Sequence, residues 1–140
     1  MTMQTTMNWE GIAAPDLATF EEMALIAWER LPDAFRAPAG DLLIRVEDFA
    51  TDEVLDALDI DDAFDLLGLY QGVSLEKKSL LDIAPQPDMV FLYRRPLLDE
   101  WANSGETLGD LITHVLVHEV GHHFGFSDDD MARIEAAVGN

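Results

Sequence analysis

The chain has 140 residues and a mass of 15.6 kDa, the size of one domain, and its 49% hydrophobic residues supply a core and exclude bulk disorder. Its 8 basic and 28 acidic residues give a net charge of −20, which repels phosphate backbones and anionic headgroups and so speaks against nucleic-acid and membrane-surface partners. It has no cysteine, so disulfides, iron–sulfur clusters, thiolate zinc sites and a cysteine nucleophile are excluded, and any metal must rest on histidine and carboxylate.

Met1 to Met7 shows neither the basic nor the apolar region of a secretory signal. No apolar run approaches the roughly 20 residues that span a bilayer. A cytoplasmic location is therefore expected. Residues 1–15 read as a flexible N-terminal segment and residues 16–140 as a single domain.

A first helix is expected after Asp16, where Leu17, Phe20, Met23, Ala24, Ala27, Trp28 and Leu31 recur at helical spacing, and Pro32 ends it. Phe20 and Trp28 read as core. Residues 41–47 form a β-branched run and read as a strand. A short helix follows over 51–58, with Thr51 and Asp52 at its start. Residues 47–65 are densely acidic, but Ala63 and Phe64 stand where a calcium loop needs an oxygen ligand and a glycine. That stretch reads as a solvated face. Residues 66–72 read as a second strand, 75–87 as a polar connection and 88–93 as a third strand. Pro96 suits the first turn of a helix reaching about residue 102. The longest helical pattern covers 107–124 and stops at Gly125. A last amphipathic helix covers 128–138, with Met131, Ile134 and Val138 facing inward.

The informative stretch is His114 to Asp128. It contains His118-Glu119-x-x-His122. Residues four apart share a helix face, so both imidazoles can meet one ion. Glu119 lies about 100° further round the helix. From there it reaches a water beside the metal rather than the metal itself, the general-base position of a metallopeptidase. A catalytic zinc takes three protein ligands and leaves one position open. The third must come from beyond the helix, and Gly125 permits the turn. Asp128, Asp129, Asp130 and Glu135 compete for that place, with Asp128 at the spacing of the extended motif.

His118 to Asp128 resembles the His-Glu-x-x-His-x-x-Gly-x-x-Asp pattern of the Asp-zincins. Together with Gly68-Leu69-Tyr70-Gln71-Gly72 and Met89 to Leu97, it makes residues 16–138 resemble the small bacterial mini-zincins, a family of zinc metallopeptidases. The resemblance implies a minimal zincin-like α+β fold, in which a small mixed sheet of three to four strands packs on helices, with the active-site helix towards the C-terminus. It implies one Zn2+ on His118, His122 and Asp128, with Glu119 as catalytic base and a peptide or unfolded protein as substrate. Other divalent ions also suit such ligands. By analogy with larger zincins, the strand at Gly68 to Tyr70 or that at Met89 to Tyr93 would hold the substrate as an added strand.

His114 lies one turn before His118 but about 12 Å from His122 along the axis. One ion cannot take both, so His114 reads as a supporting or packing residue. His123 reads as structural. Tyr70, Tyr93, His114, Arg94 and Arg95 are candidate oxyanion donors. Two other functions fit parts of the pattern. One is a zinc- or peptide-binding module without turnover. The other is a metal-dependent endoribonuclease, whose family carries glycine at the place of Glu119 and histidine at that of Asp128.

Overall fold

The computed structural model describes residues 8–72 and 87–138. Almost all of the polar connection expected at 75–87, and the first part of the expected N-terminal segment, lie outside the described residues. A single 3-10 turn, Trp9–Gly11, precedes the first long helix.

Helix α1 is Leu17–Arg30. Asp16 caps it by accepting the Thr19 N–H at 2.9 Å, and that bond holds its carboxyl below the usual range. Phe20, Ala24, Ala27 and Trp28 form its buried stripe, as their spacing requires. After Pro32 come the short α2, Asp33–Arg36, and the 3-10 turn Ala37–Ala39, neither of which has a periodic signature. Strand β1 is Leu43–Glu47. Helix α3, Asp52–Ala57, is capped by the Thr51 hydroxyl. Strand β2 is Gly68–Gln71 and β3 is Met89–Tyr93.

Helix α4, Arg94–Ser104, follows β3 directly, so Pro96 falls inside its first turn, where a missing N–H costs nothing. Helix α5, Leu108–His123, opens on Thr107, whose side chain accepts the Asp110 N–H. Gly125 then takes a φ of +79°, a left-handed conformation that favours glycine. Helix α6, Asp128–Val138, runs back from it.

The sheet order is β1-β3-β2. β1 pairs with β3 in parallel and β2 with β3 antiparallel, which makes the small mixed sheet of an α+β fold. Because β3 is central, both its edges are paired. It cannot accept a substrate strand, and of the two strands considered for that role only β2 has an edge that no strand pairs among the described residues.

The core lies between the sheet, α1 and α5. Phe20, Ala24, Val90, Leu92, Leu97, Ile112, Leu116, Val117, Val120 and Met131 are wholly buried. Gly68 is a point of close approach between β2 and α5. A Cβ there would stand 2.8 Å from Val115 Cγ1 and 3.0 Å from the Phe91 carbonyl oxygen. Among the described residues no helix is long and apolar enough to cross a membrane.

Candidate metal and catalytic site

Helix α5 carries two sets of residues. Leu111, Ile112, Val115, Leu116 and Val120 are buried in the core. His114, His118, Glu119 and His122 lie on the more open side. The core thus sets the rotation of the helix, and the rotation fixes where the histidines point.

Glu119 is half-buried and turned towards the sheet. Its Oε1 accepts the backbone N–H of Tyr70 at 3.3 Å. The β2–β3 register explains why that N–H is available. Tyr93 N–H donates to the Leu67 carbonyl, and antiparallel pairs alternate between bonded and non-bonded positions. Gly68 and Tyr70 therefore present their N–H and C=O groups away from β3. Burial pushes the Glu119 carboxyl above its ordinary range, while the Tyr70 N–H and the nearby His122 pull it back.

The motif residues fall into two neighbouring groups. His122 Nε2 stands 4.0 Å from Asp128 Oδ1, with both side chains open to solvent. His118 Nε2 is turned the other way, to Glu135 Oε2 at 3.2 Å. The second oxygen of Glu135 meets His114 Nδ1 at 2.7 Å. Among the described residues, His114, His118 and Glu135 are the three donors that gather within 4.8 Å of one another. Asp129 and Asp130 begin α6 beside Asp128, and Asp130 pairs with Arg133.

His118 and His122 nevertheless stay close, with ring centroids 5.5 Å apart and the rings nearly perpendicular. The donor set is chemically right for zinc, which takes imidazole nitrogen and carboxylate oxygen at about 2.0–2.2 Å. Two ligands on one tetrahedral ion then stand about 3.3 Å apart. The His118–Glu135 separation already has that value. The His122–Asp128 separation, 4.0 Å between two exposed side chains, is somewhat longer.

A pocket of about 270 Å³ lies beside these groups, lined by Asp65, Leu67, Gly68, His114, His118 and Glu119 among others. A larger hollow of about 540 Å³ holds Met23, Ile26, Arg30, Asp110, Thr113 and Glu135 but no residue of the His-Glu-x-x-His motif.

Of the candidate oxyanion donors, Tyr70, Arg94 and Arg95 are engaged elsewhere and Tyr93 is buried. The Tyr70 hydroxyl donates to Asp88 at 2.5 Å, and burial with that partner raises its pKa. Tyr93 is buried, which pushes it up to about 12. Arg94 bonds the Pro15 carbonyl and Asp48, and the Arg95 guanidinium sits 5.7 Å from the Phe49 ring centre. His123 stacks on the Tyr70 ring at 4.0 Å.

The role of Glu135 was not readable from spacing beyond its place among the competing acids. It depends on how α6 crosses α5. His114 carried one signal, its four-residue spacing from His118.

A sequence model of the zincin-like metallopeptidases matches residues 39–138, from the turn before β1 to the end of α6. No curated protein matches the chain. The matched span holds the whole sheet, the motif helix and both carboxylates that face its histidines. On that match, covering well over half its length, the chain belongs to the zincin-like metallopeptidase family.

Proposed function

We propose that the protein is a zinc-dependent peptidase in which His118, His122 and Asp128 hold the metal and Glu119 is the general base. The family implies zinc as cofactor and peptides or proteins as substrates. Zinc held there would acidify water to a pKa of about 7 and polarise the scissile carbonyl.

The observation that carries the reading is the placement of Glu119. It sits between the two motif histidines in sequence and touches the outward N–H of Tyr70 on the edge of β2 that faces away from β3. A peptide added to that edge would bond the outward groups of Gly68 and take the Tyr70 N–H over from Glu119. Its backbone would then run past the Glu119 carboxylate. Glu119 would take a proton from the attacking water and pass it to the leaving amine. Its raised pKa suits both halves of that task.

Glu119→Gln is expected to keep the zinc equivalent and to lose about 10²–10⁴-fold in peptide hydrolysis. Calorimetric zinc titration and a quenched-peptide library measure the two separately. Equal hydrolysis by the variant would overturn the role.

One observation favours the alternative of a binding module without turnover. His118 Nε2 faces Glu135 rather than Asp128. Intact zinc binding with no cleavage across the library by the unmutated protein would establish that reading.

A further inference from the structure

We propose that His114, His118 and Glu135 form a second cation position that competes with the His118–His122–Asp128 position for the shared imidazole of His118. The inference rests on the reading of the latter as the catalytic ligands.

The argument starts from spacing. His114, His118 and His122 make two overlapping pairs on α5, each four residues apart. Helix α6 folds back along α5 and sets one carboxylate opposite each pair. Asp128, in its first turn, faces His122. Glu135, two turns later, faces His114 and His118. Each half therefore has the composition of a zinc site: two imidazoles from one helix and a carboxylate from the next.

The geometry of the second half is the tighter one. Its three donors already lie within 4.8 Å of one another. The 3.2 Å between His118 Nε2 and Glu135 Oε2 equals the spacing of two ligands on a tetrahedral ion, about 3.3 Å. The His114–Glu135 contact, at 2.7 Å, must open for an ion to enter, and both of those side chains are partly exposed. The ligand would be a divalent ion that accepts nitrogen and oxygen donors, such as zinc or cobalt. Since His118 offers one Nε2, it serves one position at a time.

The test uses the full chain, stripped by chelator and titrated with Zn2+ by calorimetry and with Co2+ by visible absorption. The wild type is expected to take one tight equivalent. His122→Ala should still take one equivalent, with a changed Co2+ spectrum. Adding Glu135→Gln or His114→Ala to His122→Ala should weaken that binding by at least about tenfold. His118→Ala should take none tightly. Two equal, independent equivalents in the wild type would overturn the competition. No binding by His122→Ala, or binding untouched by Glu135→Gln and His114→Ala, would overturn the site. The two added variants remove different partners, and far-UV circular dichroism checks that each is folded, so their agreement separates ligand loss from misfolding. If instead the wild type and His122→Ala bind alike while His114→Ala alone loses the metal, the cluster stands and the catalytic assignment to His122 and Asp128 fails.

Discussion

Glu119 carries two opposed demands. In the proposed role its carboxylate must reach a polar reaction, yet its place beside β2 is half-buried, and burial raises its pKa. A carboxyl whose folded pKa is raised favours the native state below its unfolded pKa. It loses that contribution as pH rises through the folded value. Glutamine keeps an acceptor for the Tyr70 N–H and carries no charge. Metal-free Glu119→Gln is therefore expected to melt at nearly the wild-type temperature near pH 4 and above it at pH 8. A constant difference across that range, measured by thermal melts, would show that ionised Glu119 costs the fold nothing. At this scale much was legible in the sequence. His118, Glu119 and His122 are tied by covalent spacing on a single helix, so their joint presentation follows from its period. The contact of Glu135 with His114 and His118 was not legible, because no local rule sets how two helices cross.

Elements add what spacing omits. The periodic helices α1, α5 and α6 fall where their apolar positions place them. The short α2 and the 3-10 turns did not show, since four residues or fewer give no period. Strand order was also beyond the sequence: that β3 is central, and β2 an edge, depends on pairings between distant segments. Gly68 shows how narrow the resulting junction is. Gly68→Ala would drive a methyl against Val115 and the Phe91 carbonyl. A destabilisation of about 1–3 kcal/mol is expected, read as a lower midpoint in urea. The same change should loosen the Tyr70–Glu119 contact and lower peptide hydrolysis more than zinc affinity, because the proposed zinc ligands lie on α5 and α6. An unchanged midpoint would mean that α5 and β2 separate at little cost.

The whole molecule carries a net charge of −20 on 140 residues. Compaction brings those like charges together, and salt screens them over a Debye length of about 10 Å at 0.1 M. The melting temperature of the metal-free protein is expected to rise between low salt and 0.5 M sodium chloride. A fall would mean that local pairs such as Arg94–Asp48 outweigh the collective repulsion. The same charge draws divalent cations towards the protein as a whole, so choice between the two proposed histidine positions would reflect local donors rather than the overall field.

Helix α5 is both the spine of the core and the bearer of the motif. Val115, Leu116, Val117 and Val120 alternate along it with His114, His118, Glu119 and His122. One residue inserted near its middle would turn everything beyond by about 100°, swinging valines into water and histidines into the interior together. Heritable variation in this segment is thus confined to exchange of side chains at fixed positions. A lineage can change its chemistry here by replacing letters, but it has no neutral path through insertions or deletions.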